Sequence, residues 1–431
     1  MITARDIAIS RAAPPIVPAM PAPAAALSER LLLIVLYITV LASSVAFIEP
    51  SPHDGLMGVL ALACFAAGVR FERHVALLFL ILLVWNVAGL LSLLNVPGQE
   101  QTVQYAGTSI YLAVAAVLFA SLFAHNTMPR IVTVRAAYVL TATIISLAGI
   151  AGYFNLFPHA HDLFATYDRA LGAFKDPNVF GPFLIWPALV VLERMLARRI
   201  RATDVPIIGI LLLGLLLSFS RGAWLHFAVS CVVMMMLAFV TAPTDRARLR
   251  IFAMSAIAVA VVAAFIVIAL SFDSISVMFT ERAHLIQSYD VGSGGRFRLQ
   301  ELALGDLLKF PNGMGPFEFS RVYGTQQHNV YLQAFLVYGW VGGIAYITLL
   351  AATLWTGLRT VFVLTAWQPY LVCALAAFVG EVLEGFVIDT DHWRHFFLLL
   401  GMIWGLAAAT LNHRGGRHIP LPAGWFAHVG G

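Results

Sequence analysis

With 431 residues, 60% of them hydrophobic and only 11% charged, and a mean hydropathy of +0.86, the chain lies far from soluble domains, in which about a quarter of residues are charged. Its cysteines, Cys64, Cys231 and Cys373, all fall inside apolar runs, so no disulfide framework is expected. The pI near 9.0 would suit an acidic polymer, but no basic patch interleaved with aromatic residues is present, which excludes nucleic acid as a partner.

Residues 1–30 are rich in Pro and Ala, lack an apolar core and a cleavage site, and read as a disordered cytoplasmic tail. A membrane span needs about 20 apolar residues. Runs of that kind predict about twelve transmembrane helices: nine within 31–270, near 31–48, 55–69, 74–94, 105–124, 131–152, 178–197, 205–219, 222–241 and 250–270, and three within 329–411, near 329–357, 369–388 and 395–411. The second and seventh are short. Residues 412–431 form a second tail. The predicted fold class is an all-α polytopic membrane protein with a long loop, 271–328, before the tenth helix.

Alternating the sides of these helices from a cytoplasmic N-terminus places 17 of the 26 Lys and Arg inside and 16 of the 22 Asp and Glu outside. This is the positive-inside bias. Both termini are therefore expected in the cytoplasm, and the high pI reflects topology rather than an anionic partner. Within the long outer loop, residues 296–310 on a helix group Leu299, Leu302, Leu307, Leu308 and Phe310 in one arc, opposite Arg298, Glu301, Asp306 and Lys309. Such a helix would lie along the outer interface, a position suited to a lipid head group as substrate.

Four places could carry chemistry. Arg221 is the only charge between Ile207 and Val240, a run of roughly 51 Å as a helix and too long for one span. The run must fold back at Ser220-Arg221-Gly222, holding a phosphate-shaped guanidinium at partial depth, or else a snorkelling arginine at a hairpin tip. Arg296 follows Gly292-Ser293-Gly294-Gly295, a turn whose backbone N–H groups can bind an anion; Arg298 falls on the polar side with Glu301. His328 could act as a general base near neutral pH, with Asn329 supporting it, or could merely cap its helix. Asp389-Thr390-Asp391 could place two carboxylates on a divalent cation or form a solvated loop; the arginines already supply charge for phosphates, so no metal is assigned.

Taken in order, SFSRGAW, GSGGRF, GMGPF and HNVYLQAFLVYGWVGG, preceded by GAFKDPNVFGPFL with Asn178, resemble the O-antigen ligase and O-antigen polymerase superfamily of bacterial inner membranes, over roughly residues 170–410. The resemblance implies a GT-C-like membrane glycosyltransferase with its site at the periplasmic face. Such an enzyme takes a glycan from undecaprenyl diphosphate, with inversion and without a metal, and joins it to an acceptor sugar. It makes Arg221 and Arg296 the diphosphate ligands and His328 the base. Asn329, Arg298, Asn178, Asp389 and Asp391 are possible supporting residues. The aromatic residue that often follows the loop arginine is replaced here by Gln300 and Glu301. No nucleotide motif is present, and no cofactor is expected. The acceptor would be lipid A core for a ligase, or a growing glycan for an O-antigen or exopolysaccharide polymerase. A polysaccharide or lipid-glycan transporter is a more distant reading, since no internal repeat is evident and the suspect residues gather on one face.

Overall fold

The computed structural model describes residues 23–48, 50–96, 99–197, 200–283 and 295–414. Helices α1 (Pro23–Leu41), α2 (Pro52–Ala66), α3 (Ala76–Ser92), α4 (Glu100–Ala124) and α5 (Thr127–Tyr153) come first. Short α6 (Ala160–Phe164) and a two-stranded antiparallel hairpin, β1 (Ala165–Thr166) with β2 (Arg169–Ala170), lead to α7 (Pro177–Phe183) and α8 (Ile185–Ala197). Then follow α9 (Asp204–Leu217), α10 (Arg221–Thr241), α11 (Asp245–Ala269), α12 (Asp273–Ala283), α13 (Arg296–Lys309), α14 (Glu318–Tyr323), α15 (Val330–Val361), α16 (Gln368–Glu384) and α17 (Arg394–Arg414).

Each apolar run of the sequence is the body of a helix. Among the described residues nine helical stretches are long and apolar enough to cross a membrane. Three runs give shorter helices, α2, α9 and α16, of 15, 14 and 17 residues. At 1.5 Å per residue α9 spans only about 21 Å, well short of a 30 Å hydrocarbon layer. The chain is an all-α polytopic membrane protein. Helix α17 is its centre, with 94% of its apolar window buried, while α11, at 6%, runs along the outside.

Two local readings change. The first helix starts at Pro23, inside the stretch read as a tail. The apolar arc of α13 is narrower than its spacing suggests. Leu299 and Ala303 pack on Phe319 and Leu336, whereas Leu308 and Phe310 are exposed and Asp306 is buried. The reason is partner-specific: the Asp306 carboxylate accepts from Lys309 Nζ at 2.9 Å and Tyr323 Oη at 2.8 Å, so a buried acid is satisfied. Gly292, Ser293 and Gly294 of the expected anion-binding turn lie outside the described residues.

The segment between α13 and α15 is seated in a break of α15. Gly339 has φ +68° and ψ −174°, a region open essentially to glycine alone. There the freed Trp340 N–H donates to Pro311 O at 2.8 Å, and Met314 N–H donates to Leu336 O at 2.6 Å. A Cβ on Gly339 would lie 2.7 Å from Pro311 O. The two glycine-containing motifs, 313–317 and 328–343, are thus halves of one joint, which fixes the first turns of α15 and the residues before them.

Candidate active site

His328 stands just before α15 with φ +50°, a left-handed backbone that costs a non-glycine residue about 1–3 kcal/mol and persists only where neighbours impose it. The neighbours are specific. Asn329 Oδ1 accepts from the Tyr331 and Leu332 amides, both at 3.1 Å, so Asn329 is the helix cap. Its own N–H donates to Asp389 Oδ1 at 3.0 Å and its Nδ2 to Phe386 O at 3.2 Å. Val330 N–H donates to Gly385 O at 2.9 Å. His328 is therefore not needed to cap the helix. Its side chain is 43% exposed, with Nδ1 3.9 Å from Asp389 Oδ2.

Arg296 opens α13 and is half-buried. One turn on, Gln300 Nε2 points at the carbonyls of His328 (3.5 Å) and Phe386 (3.4 Å). That contact brings the first turn of α13 against the histidine loop. Arg298 goes elsewhere, pairing with Glu301 at 2.6 Å on the exposed surface. Asp389 and Asp391 also diverge. Asp389 accepts from the Asn329 N–H and lies 3.9 Å from His328 Nδ1, while Asp391 accepts from Tyr105 Oη at 2.7 Å and contacts His392 Nδ1 at 3.1 Å.

Arg221 is the first residue of α10, and the fold-back read from the sequence occurs at 218–220. Ser220 caps α10 through the Ala223 N–H at 3.4 Å, and Phe219 is buried at φ +45°. A Cβ on Gly222 would sit 2.8 Å from Glu384 Oε1, which is why glycine follows the arginine. Glu384 ends α16, and its other oxygen lies 2.7 Å from His226 Nδ1; His226 Nε2 donates to Ala377 O at 2.8 Å. The arginine turn therefore packs on the residue directly before Gly385 and Phe386, whose carbonyls hold Val330 and Asn329.

A second tie passes through Asn178. Its Oδ1 accepts from Arg169 Nη2 at 2.7 Å, and Arg169 Nε donates to Ser218 O at 2.8 Å. The Asn178 amide in turn donates to Asp176 Oδ1 at 2.8 Å. Buried Arg169 and the Glu384–His226 pair escape a reading of the sequence because each works across a gap of 49 or 158 residues. The one clue was that Arg169 belongs to the few arginines expected on the acidic side.

The electrostatics separate the groups. Burial, and then the Arg296 guanidinium, hold the His328 imidazole below its usual range, while the Asp176 carboxylate works the other way. Burial and the nearby Asp391 charge push the Asp389 carboxyl up to about 7, against the Asn329 N–H and Arg296. Burial would also raise Asp391, but the His392 charge and the hydrogen bonds from His392 and Tyr105 outweigh it and hold that carboxyl low. At neutral pH the site offers a neutral imidazole beside the Arg296 guanidinium.

Fold and site together define a polytopic helical membrane protein in which the turn before α10, the start of α13 and the loops before α15 and after α16 come together. Residues 206–347, which include Arg221, Arg296, His328 and Asn329, match the family model described as O-Antigen ligase. The match supports the O-antigen ligase and polymerase superfamily for this chain, and with it a membrane enzyme of that type. Asn178, Asp389 and Asp391 lie outside the matched stretch. No curated protein matches the chain.

Proposed function

We propose that the protein is an inner-membrane, periplasmic-face glycosyltransferase that moves a glycan from undecaprenyl diphosphate to an acceptor sugar hydroxyl, as an O-antigen ligase using lipid A core. The observation that carries the reading is the placement of His328, in a strained and half-exposed position beside Arg296, with the Arg221 turn packed against the loop that holds it. In the reaction the acceptor oxygen attacks the anomeric carbon. Its proton passes to His328, and the anomeric carbon–oxygen bond breaks with its electron pair leaving on undecaprenyl diphosphate. Attack opposite the leaving group inverts the anomeric carbon. Arg221 and Arg296 meet the charge that grows on the diphosphate, the work a divalent cation does elsewhere. Asp389 holds the Asn329 N–H beside the histidine and, largely protonated below pH 7, withholds a charge that would compete for the arginines.

The test is a deletion strain examined for surface glycans, followed by transfer with purified protein in the presence of a chelator. A ligase leaves finished polymer on the lipid carrier. Single repeat units on the carrier would indicate a polymerase instead, and loss of transfer on chelation would replace the arginine account with a metal.

A further inference from the structure

An apolar groove lies at the far end of the bundle from His328. Helix α3 ends at Ser92, and just beyond it Asn95 Nδ2 donates to Gly313 O at 2.8 Å and Gln99 Nε2 to Glu318 Oε1 at 3.2 Å, both in the segment that seats α15. The start of α3, with Arg70 and Arg73 before it, therefore marks the opposite end. Running inward from that end between α2, α3 and α4 is an open groove of about 410 Å³. Binding pockets for small molecules span roughly 300–1,000 Å³, while about 150 Å³ already admits a benzene.

The lining has an order. Phe65, Phe79, Leu83 and Val114, all exposed on the outside of the bundle, make its apolar walls, Asn86 and Ser121 are its small polar insertions, and among the described residues Arg70 is the only charged one in its lining. Arg73, three residues on, is exposed as well. The intervening acid, Glu72, is buried and set 3.3 Å from His125 Nε2, so its charge is directed into the protein. An apolar groove lined by membrane helices, with one exposed guanidinium in its lining, matches a molecule with a hydrocarbon tail and an anionic head.

We propose that this groove holds one acyl chain of an anionic phospholipid, with the headgroup phosphate taken by Arg70. Guanidinium suits a phosphate through its fork of donors, and the apolar walls offer a zwitterionic lipid the same tail site but no net charge for Arg70 to attract. The site is independent of the transfer chemistry and would survive its failure.

The intact protein, stripped of lipid in detergent, is titrated with phosphatidylglycerol or phosphatidylcholine and read by native mass spectrometry. One phosphatidylglycerol should bind about fivefold more tightly than phosphatidylcholine. Arg70→Gln, at an exposed position, should abolish that preference without changing thermal unfolding. Ala61→Trp, which puts an indole into the groove, should abolish binding of both lipids. Equal affinity for the two lipids in the unaltered protein, or phosphatidylglycerol binding that neither variant weakens, would overturn the proposal. So would stronger retention of undecaprenyl phosphate than of phosphatidylglycerol, since the groove would then serve a polyprenyl chain.

Discussion

Three glycines measure how firmly the break in α15 is locked to the segment before it. Gly305, inside α13, has nothing within 4 Å of an added Cβ; Gly305→Ala should stabilise by about 0.5–1 kcal/mol, the helical penalty of glycine. Gly324, at φ +85° with open space around it, isolates backbone strain, so Gly324→Ala should cost about 1–2 kcal/mol. Gly339 adds a clash to the strain. Its φ and ψ carry about 1–3 kcal/mol for alanine. Its Cβ would meet Pro311 O and Asn312 C at 2.7 Å, and forcing backbone apart at that distance adds about 1–3 kcal/mol more. Gly339→Ala should therefore lose about 2–6 kcal/mol, a large part of an ordinary stability margin. Unfolding by SDS titration in mixed micelles reads all three. Transfer activity should fall with Gly339→Ala alone, because the same joint aims Asn329 and His328. A Gly339→Ala protein no less stable than Gly324→Ala would refute the seating of residues 311–314 in the break.

Two substitutions should move the pH profile in opposite directions. Transfer needs neutral His328, so kcat/KM falls as pH drops through the His328 pKa. Arg296→Gln removes a charge that lowers this pKa and should shift the acidic limb to higher pH; Asp176→Asn removes one that raises it and should shift the limb to lower pH. Shifts of the same sign would contradict the assignment. His226→Ala deletes two buried hydrogen bonds, at roughly 1–3 kcal/mol for each partner left unsatisfied. Because Glu384 abuts Gly222, the variant should also lower kcat more than it raises KM, and an unchanged kcat would detach this pair from the Arg221 turn. Arg169→Ala should impair transfer through the Ser218 turn, and Arg169→Lys should rescue it poorly, since one ammonium cannot reproduce two directed bonds to Ser218 O and Asn178 Oδ1.

The helices were legible because a span leaves an apolar run that no loop imitates, and Ser-Arg-Gly was legible because one charge interrupted such a run. His328 and Asn329 stood out by type, yet the division of labour between them did not. Only the structure shows that Asn329 caps α15, leaving the imidazole free of that task. Asp306 was misread because helical spacing places a residue on a face but says nothing of Tyr323, which arrives from the next helix to satisfy it. Arg169, Glu384 and His226 act over long sequence separations in a buried setting. Spacing rules are local, and such ties become visible only when the elements are packed.

The central claim is that His328 takes the acceptor proton while arginines hold the diphosphate. Its most direct test is single-turnover transfer from purified undecaprenyl-diphosphate-linked glycan, at saturating donor and with chelator, comparing the unaltered protein with His328→Ala and both with Arg298→Ala. The account predicts a loss of about 10²- to 10⁴-fold for His328→Ala, with donor still bound and thermal unfolding unchanged, and near-normal rates for Arg298→Ala. Full transfer by the His328→Ala protein would contradict it.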